Sequence, residues 1–434
     1  MLAPGNWHRL FGIEFEVIEL ENVLGLRCIQ CGKGLAAEPG VYTCPSCGSK
    51  AGIMDVEYDY QVINRLTSRE KLTQSKDYSI FRYLPFLPIR PETPRPHLRV
   101  GWSPLYKPSE LGISMGMSNL YIKDDGQNPT ASLKDRASII AVIKAVEEKA
   151  PTVACSSTGN AASSLAGSAA AMGLKSVIFV PSRAPQGKVA QLLIFGATVI
   201  SVQGSYEDTF RLSAEAIDRF GWYNRNAAIN PYLVEGKKTV ALEIAEQFNW
   251  EVPDWVVLSV GDGCTIAGVW KGFKDLYQAG WIERLPKIVG VQSTGCCPLV
   301  DAFLEDRPWR PAEENTLADS IAVGVPRNPD KALRAVRESG GTMIAVPDGA
   351  ILEAMRELGR TSGIFGEPAG VTGMAGLKVL VEKGVIGVDE KVVAIVTGNG
   401  LKDVKNAIAA VGEPIKVEPS LEELMVKLDA RLDA

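Results

Sequence analysis

Residues 151–167, PTVACSSTGNAASSLAG, place a short apolar run directly before a polar turn and a stretch of small residues. This order predicts a buried strand, a tight turn and a helix. Six further apolar runs follow along the chain: KSVIFVP (175–181), ATVISVQG (197–204), DWVVLSVG (254–261), KIVGVQS (287–293), GTMIAVP (341–347) and KVVAIVTG (391–398). Stretches between them have helical spacing, as in YEDTFRLSAEAIDRF (206–220). Strands that alternate with helices predict an α/β fold with parallel sheets flanked by helices.

The composition limits the class of protein. The chain has 434 residues, of which 46% are apolar and 22% charged, and its net charge is −5. These values are typical of a soluble globular protein and exclude a disordered chain, a collagen-like repeat and a coiled coil. No apolar stretch reaches the length of about 18 residues that a membrane helix needs. The N-terminus lacks the pattern of a secretory signal. We therefore expect a cytoplasmic protein that binds neither membranes nor nucleic acid.

The segments outside the alternating region are predicted to differ from it. Residues 56–130 contain several prolines and are predicted to form an extended connection that wraps the protein. The alternation of strands and helices runs from about residue 115 to about residue 412. The tail that follows, EPIKVEPSLEELMVKLDARLDA, predicts a strand and then a charged surface helix.

Four cysteines near the N-terminus have the spacing of a metal site. They form two C-x-x-C pairs separated by twelve residues: Cys28 with Cys31, and Cys44 with Cys47. Two such pairs suit a tetrahedral zinc ion in a ribbon. All four ligand positions would be filled, so the predicted role is structural. The alternatives are four reduced thiols, or a ribbon that no longer binds metal.

Polar turns that follow strands are the places to search for a ligand site, because ligands of open α/β sheets bind at the carboxyl ends of the strands. Four segments stand out: NPTASLKDRAS (128–138), SSTGNAASSLAG (156–167), SVGDGCTIAG (259–268) and IVTGNGLKD (395–403). In the first, Pro129 and Thr130 predict a helix start with Lys134 in the first turn. The helix dipole there lowers a lysine pKa and suits Schiff-base chemistry. A solvated lysine on a charged helix face is the alternative.

The other three turns each have a structural alternative. The segment from residue 156 offers backbone N–H groups and an amide to a polar ligand, or it is only a helix cap. The G-x-G of the third segment can wrap a phosphate before a helix N-terminus, or it is only a tight turn. In the fourth, Thr397 can hydrogen-bond a heteroaromatic nitrogen, or Asn-Gly forms a β-turn.

Taken together, the four turns supply the parts that hold pyridoxal 5′-phosphate. In this order and spacing they resemble the tryptophan-synthase-β-like, fold-type II enzymes that use this cofactor, and within them the threonine synthase family. The resemblance runs from about Gly101 to Lys416 and includes YIKDDGQNPTASLKDR, CSSTGNAASSLAGSAAAMGLK, GIFGEPAG and TGNGLKD. Some threonine synthases also have a short cysteine-paired N-terminal segment.

The resemblance implies a role for individual residues. Lys134 would bind the cofactor covalently and shuttle protons. Asn160 would hydrogen-bond the phenolic oxygen of the cofactor, and Thr397 would face its pyridine nitrogen. The cofactor phosphate would lie in a cradle formed by Gly261, Asp262, Gly263, Cys264 and Thr265. The substrate carboxylate would lie beside Ser156, Ser157 and Thr158.

The resemblance also implies a division of the chain. Residues 1–55 would form the zinc-ribbon-like segment, residues 56–127 and 241–434 the large cofactor domain, and residues 128–240 the small substrate domain. Fold relatives are often dimers, so a homodimer is implied by analogy alone.

Two segments depart from the family pattern. The phosphate loop reads GDGCT where threonine synthases tend to read GNAGN, and the Asp262 carboxylate is expected to point away from the phosphate. Residues 227–236 read AAINPYLVEG where NS-x-NP-x-R-x-EG is usual. In that family the Asn, Ser and Arg side chains help bind the substrate phosphate, and here Ala227, Ala228 and Leu233 stand in their places. Three lysines are candidates to compensate: Lys188, Lys237 and Lys238.

The predicted function is that of a pyridoxal-phosphate-dependent lyase that converts O-phosphohomoserine and water to threonine and phosphate. A paralogue that acts on an unphosphorylated amino acid, as a threonine or serine ammonia-lyase or by β-replacement, is the alternative. A non-catalytic binding protein with the same fold is a third possibility, and the intact Lys134 argues against it.

Overall fold

The computed structural model describes residues 20–182, 184, 186–226 and 229–432. The strands in this part of the chain are β1 (Val23–Cys28), β2 (Gly34–Leu35), β3 (Met54–Tyr58), β4 (Leu105–Tyr106), β5 (Leu120–Asp124), β6 (Thr152–Ser156), β7 (Lys175–Pro181), β8 (Thr198–Val202), β9 (Tyr223–Asn224), β10 (Trp255–Ser259), β11 (Lys287–Ser293), β12 (Thr342–Val346) and β13 (Val392–Val396).

The helices of the same part are α1 (Gly48–Ala51), α2 (Tyr60–Leu66), α3 (Arg69–Gln74), α4 (Ser109–Ser114), α5 (Lys134–Glu147), α6 (Asn160–Ala171), α7 (Gln186–Ile194), α8 (Tyr206–Phe220), α9 (Tyr232–Gln247), α10 (Cys264–Gln278), α11 (Pro298–Leu304), α12 (Pro329–Glu338), α13 (Asp348–Ser362), α14 (Pro368–Glu382), α15 (Val404–Val411) and α16 (Leu421–Leu432). Short 3₁₀ segments cover Ile80–Phe86, Asp125–Gln127, Asp319–Ile321 and Gly400–Asp403. None of the helices in the described ranges is long and apolar enough to cross a membrane.

The strands form three sheets. The largest has six strands in the order β12-β11-β10-β13-β5-β4, and only its β4–β5 pair is antiparallel. A second sheet has four parallel strands in the order β8-β7-β6-β9, and a third, β2-β1-β3, is antiparallel. Strands β6, β10 and β13 are buried at every residue, as expected when helices cover both faces of a parallel sheet. The predicted α/β fold is confirmed.

The apolar runs predicted the strands of the parallel sheets well. Each of the seven runs forms a strand, β6 to β8 and β10 to β13. The stretch 206–220 forms α8 over its whole length, because Ser205 begins it with a reciprocal cap. The Ser205 hydroxyl accepts from the N–H of Asp208 at 3.1 Å, and the Asp208 carboxylate accepts from the N–H of Ser205 at 3.0 Å.

Two expectations outside the parallel sheets are wrong. The connection 56–130 is not simply extended, since it contains α2, α3 and α4 as well as β5. Side-chain caps start two of these helices: Asp59 accepts from two backbone N–H groups of α2, and Ser68 from one of α3. Residues 413–420 of the tail form no strand, and only α16 follows. Pro414 and Pro419 remove two of the N–H donors that a strand would need there.

The four-stranded sheet and the helix α9 can be compared with the predicted domain bounds. The four-stranded sheet lies between residues 152 and 224, inside the range 128–240 predicted for the small domain. At residue 240, however, the chain runs within the continuous helix α9. The predicted domain boundary after residue 240 would divide this helix, and the division of the chain stays a prediction.

A buried ionic network joins the six-stranded sheet to the helices beside it. Arg136 on α5 pairs with Asp125 at 2.7 Å and with Glu243 on α9 at 2.5 Å. Lys123 on β5 pairs with the same Glu243 at 2.7 Å. All four side chains are fully buried. Because each buried charge has a partner, the network fixes the position of α5, which carries Lys134 at its start.

Candidate active site

Lys134 is the first residue of α5. The sequence predicts a helix start at Pro129 and Thr130, so the helix begins later than expected. Asp135 explains the difference, because its carboxylate accepts hydrogen bonds from the backbone N–H of Thr130 at 2.8 Å and from the Thr130 hydroxyl at 2.6 Å. These bonds fold the preceding loop back onto the helix. Burial, followed by the charge of Arg225, lowers the pKa of Lys134.

Thr397 follows β13 and lies beside the loop that leads to Lys134. The N–H of Leu133 donates to the Thr397 carbonyl at 2.9 Å, and the N–H of Asn399 donates to the carbonyl of Ala131 at 3.0 Å. The residue before Lys134 is thus bonded directly to Thr397. The structure brings these two predicted site residues together at the carboxyl end of a central strand, where a ligand site is expected.

Asn160 is the first residue of α6, directly after the turn that follows β6. Its side-chain amide donates to the Glu367 carboxylate at 2.5 Å. The N–H of Glu367 in turn donates to the carbonyl of Gly398 at 3.0 Å, so Asn160 reaches the same strand end as Thr397. A Cβ atom added to Gly398 would overlap the Glu367 carboxylate. A side chain at residue 398 would therefore displace the Glu367 carboxylate from this position.

The sequence analysis missed Glu367 as a site residue. Its side chain is buried, and burial, followed by the charge of Asp319, raises the pKa of the carboxyl to about 7. Glu367 directly precedes α14, which begins at Pro368. The stretch GIFGEPAG contained the signal, because a carboxylate directly before a helix-starting proline is well placed at a turn.

The loop 261–265 has the shape of an anion cradle. It runs from β10 into α10, and Gly263 has a φ of +84°. A Cβ atom at Gly263 would lie 2.5 Å from the carbonyl oxygen of Asn328. Among the described residues, none of the five backbone N–H groups of this loop donates to a backbone carbonyl. Free N–H groups at a helix N-terminus fit a phosphate group, as pyridoxal phosphate requires.

The side chain of Asp262 is bonded outside this loop. Its carboxylate accepts from the N–H of Arg327 at 3.3 Å, and its carbonyl accepts from the N–H of Asn328 at 2.9 Å. Asp262 is thus tied to a neighbouring segment, and its orientation away from the phosphate stays a prediction. Asn328, which the sequence analysis missed, is fully buried, and neither polar atom of its side chain has a partner among the described residues.

The turn after β6 contains hydrogen-bonding groups with no partner. The N–H of Ser156 donates to the side chain of Asn226 at 2.9 Å, whereas the buried Ser156 hydroxyl has no partner within the described ranges. The Ser157 hydroxyl accepts from the N–H of Gly159 at 3.2 Å. Thr158, beside them, is half-buried. This turn lies directly before Asn160 and therefore borders the same site.

The structure describes residues 229–236 of the second segment that departs from the family pattern. Ala227 and Ala228 lie outside the described residues. Leu233 is buried and belongs to an apolar cluster around α5 and α6. Two of the three lysines considered as substitutes are already paired: Lys238 with Glu235 and Asp275, each at 2.6 Å, and Lys188 with Asp319.

The four N-terminal cysteines lie together. Every pair among the Sγ atoms of Cys28, Cys31, Cys44 and Cys47 is within 4.8 Å, and those of Cys31 and Cys44 are 3.7 Å apart. A tetrahedral zinc ion with bonds of about 2.3 Å sets its sulfur ligands roughly 3.8 Å apart, so the donor set fits zinc. Burial opposes ionisation, but backbone N–H groups lower the pKa of the Cys44 thiol to about 7.

The fold and the site together define a pyridoxal-phosphate-dependent enzyme. Residues 97–398 match the family model described as "Pyridoxal-phosphate dependent enzyme". The chain is 41% identical to a threonine synthase of Methanocaldococcus jannaschii, over 92% of this chain and 98% of that protein. It is also 41% identical to a threonine synthase of Methanosarcina acetivorans, over 92% of this chain and 97% of that protein.

Solved structures agree on the fold. A structure of diaminopropionate ammonia lyase from Escherichia coli superposes with a TM-score of 0.63 at 22% identity, over 78% of this chain and 93% of that chain. At this identity the likeness concerns the fold alone. The higher identity to the two archaeal proteins extends over nearly their whole length. The chain belongs to the threonine synthase family, and these relatives do not favour the ammonia-lyase alternative.

Proposed function

We propose that this protein is a pyridoxal-phosphate-dependent threonine synthase, which forms threonine and phosphate from O-phosphohomoserine and water. One observation carries the proposal at the level of the site. Lys134, Asn160 and Thr397 come from three distant segments, and hydrogen bonds through Leu133, Glu367 and Gly398 bring them to one strand end. The relatives that share this chain's sequence over most of its length bear the same printed name.

The cofactor-binding groups are assigned as follows. When bound, pyridoxal phosphate supplies an electron sink that makes the substrate α-proton acidic. Lys134 would hold the cofactor through Nζ, and the backbone N–H groups of residues 261–265 would hold its phosphate. Asn160 and Thr397 would bind the two polar positions of the ring. The neutral hydroxyl of Thr397 would leave the ring nitrogen of the cofactor without a charged partner, which would favour elimination and replacement over transamination.

The protein's own groups then position the substrate and move protons. Lys134 has a lowered pKa, so its amine is available as a base nearer to neutral pH than that of a free lysine. It would remove the α-proton and then a β-proton, and the γ-phosphate would leave. Protons would return to the γ-carbon and the α-carbon, and water would supply the hydroxyl group at the β-carbon. The turn Ser156, Ser157 and Thr158 would hold the substrate carboxylate through its hydroxyl groups and the N–H of Thr158. The N–H groups of Ser156 and Ser157 already donate to Asn226 and Phe179.

Three finer assignments accompany this proposal. The cysteine cluster would hold a structural zinc ion, which orders a lobe too small to build a large core of its own. A homodimer is proposed by analogy with fold relatives. A cytoplasmic location stays a prediction from the sequence.

The direct test measures phosphate and threonine in the same tube. The purified holoenzyme, given O-phosphohomoserine, is expected to release the two products in equal amounts. Lys134→Ala should lower the rate by about 10³-fold or more, because it removes the group that transfers protons. Lys144→Gln is the matched control: Lys144 lies on the same helix, is buried, and already pairs with Glu147 at 2.6 Å.

Each outcome of this test is informative. Equal release of phosphate and threonine, lost in Lys134→Ala and kept in Lys144→Gln, supports the proposal. Ammonia release from threonine or serine without turnover of O-phosphohomoserine would instead establish the alternative activity. The absence of both reactions, together with an intact cofactor absorbance, would contradict both assignments.

A further inference from the structure

Two buried cations near Lys134 have no carboxylate within ion-pair distance among the described residues. Arg225 and Lys237 are each only 2% exposed, and within the described residues neither forms an ion pair. Other buried cations in this part of the chain are paired, as Arg136 and Lys238 show. A buried charge without a partner has a large desolvation cost, so an anion is expected beside these two groups.

Arg225 is held with one edge of its guanidinium free. It follows β9, and its N–H donates to the carbonyl of Ala154 at 2.9 Å. Its Nε donates to the hydroxyl of Ser138, on α5 one turn after Lys134, at 3.0 Å. The Nη2 atom is buried and has no hydrogen-bond partner among the described residues. The guanidinium is therefore fixed in place beside the start of α5, with a donor to spare.

Lys237 lies on α9, which packs beside the helix that begins at Lys134. Its Cβ would lie 2.9 Å from a Cβ atom built on Gly268, one turn of α10 after the phosphate loop. Burial lowers the pKa of Lys237 to about 8, and the charges of Lys134 and Arg225 act in the same direction, against the opposing effects of Cys264 and Asp262. The three cations thus lie close enough to repel one another, which makes an anion among them favourable.

Neighbouring polar groups also lack partners. The Asn226 amide nitrogen and the hydroxyls of Ser132 and Ser156 are buried without a hydrogen bond in the described part of the chain. An amide nitrogen can only donate and a hydroxyl can do so, and donors together with cations suit an anion with several acceptor oxygens. A phosphate monoester has three terminal oxygens and two negative charges when fully ionised.

We propose that Arg225 and Lys237 form a subsite that binds a phosphate monoester beside Lys134. Two sources of this group can reach the site: the phosphate of the cofactor and the phosphate of the substrate. The second source rests on the proposed function. There, Arg225 would take the place of the arginine that this chain lacks at residue 233, from a different point along the chain.

The test separates the two sources with two binding measurements on folded variants. Arg225→Gln and Lys237→Gln remove one charge each, Arg225→Lys retains it, and Lys144→Gln is the paired-lysine control. The first arm titrates cofactor-free protein with pyridoxal phosphate and with pyridoxal, and follows absorbance. The second arm titrates the holoenzyme with inorganic phosphate and follows the thermal unfolding midpoint. A parallel assay gives KM for O-phosphohomoserine.

The expected result is a loss of phosphate affinity of about tenfold or more for each neutral variant, with Arg225→Lys intermediate and Lys144→Gln unchanged. Loss only in the holoenzyme, with a raised KM, assigns the subsite to the substrate. Loss only for pyridoxal phosphate, with pyridoxal unaffected, assigns it to the cofactor. Folded variants that lose neither affinity overturn the proposal. In one further outcome, the wild-type holoenzyme does not turn over O-phosphohomoserine, yet the neutral variants bind phosphate more weakly than the wild type. The proposed function then fails and the phosphate subsite stands.

Discussion

Lys134 and Glu367 show how burial shifts two groups of one site in opposite directions. Burial disfavours the charged form of each, so it lowers the pKa of the Lys134 ammonium and raises that of the Glu367 carboxyl. Both shifts increase the fraction of the uncharged form near neutral pH. A neutral amine can accept a proton, and a neutral carboxyl can donate a hydrogen bond, which is the usual use of shifted groups in active sites.

Glu367 predicts a pH dependence of stability. Its pKa is raised from 4.5 to about 7, so between these values the native carboxyl keeps a proton that the unfolded chain has lost. The contribution of Glu367 to the free energy of unfolding is therefore fully present below pH 4.5. It falls as pH rises toward 7, by at most on the order of 3 kcal/mol. In Glu367→Gln the free energy of unfolding should not show this fall with pH, because glutamine does not titrate. Thermal unfolding of the cofactor-free proteins from pH 4.5 to 8 measures it, and equal slopes for both would contradict the assignment.

At the scale of elements, the site depends on where strands end and helices begin. The loop 261–265 connects β10 to α10, and its free N–H groups exist because the first residues of a helix lack internal acceptors. The cysteine segment supports the same loop, since Ile29 and Ile53 pack against Cys264. The N-terminal lobe and the loop that we propose to hold the cofactor phosphate are thus in direct contact.

Gly263→Ala tests the cradle. Gly263 has a φ of +84°, and the carbonyl of Asn328 lies 2.5 Å from the position of an added Cβ. The variant should bind pyridoxal phosphate at least about tenfold more weakly, because the loop must shift and misplace its N–H groups. Gly359→Ala, on the exposed side of α13 with nothing within 4 Å, is the control and should be neutral or slightly stabilising. Absorbance titration of cofactor-free protein measures both, and equal affinities would argue against the cradle.

Cys44→Ser tests the cysteine cluster. We expect one zinc ion per wild-type chain by metal analysis, and loss of that ion in the variant, because three thiolates leave the tetrahedron open. Cofactor affinity should fall as well, since the Ile29–Ile53 contact with Cys264 depends on the order of this segment. Cys297→Ser is the control, because Cys297 lies outside the cluster and contacts Asp301 instead. A wild-type protein that retains no zinc after dialysis would refute the metal assignment.

At the scale of the whole molecule, charged groups from distant parts of the chain determine how the sheets and helices are joined. Lys123, Arg136 and Glu243 come from β5, α5 and α9, and they meet in an interior that excludes water. The close approach of α9 to α5 needs a glycine as well, since a Cβ at Gly236 would overlap the carbonyl of Arg136. The position of Lys134 thus depends on packing that extends well beyond the site.

Glu243→Gln tests this network. Loss of the carboxylate leaves Lys123 and Arg136 short of a buried counter-charge, and the free energy of unfolding should fall by about 3–5 kcal/mol. Glu215→Gln, on an exposed pair with Arg211 at 3.1 Å, should change it by less than about 1 kcal/mol. Urea unfolding at pH 7 measures the free energy of unfolding of both variants. Equal losses in the two would contradict a special role for the network.

The same network predicts how the protein responds to acid. Although burial opposes ionisation, Arg136 and Lys123 lower the pKa of Glu243 to about 2. Stability from this group is present above the unfolded value of 4.5 and is lost as pH falls toward 2. The difference in stability between wild type and Glu243→Gln should therefore narrow below pH 4.5.

The sequence by itself determined the alternation of strands and helices, the four turns and the cysteine pairs. These depend on short-range periodicity and spacing, which local sequence contains. The tertiary structure decided which side chains share one site. Glu367 meets Asn160 although 207 positions separate them, and Lys238 is neutralised by Asp275 while its neighbour Lys237 is not. Such pairings depend on how distant segments pack. The pattern around Glu367 therefore could not predict its raised pKa, and the pattern around Arg225 could not predict that no ion pair forms there among the described residues.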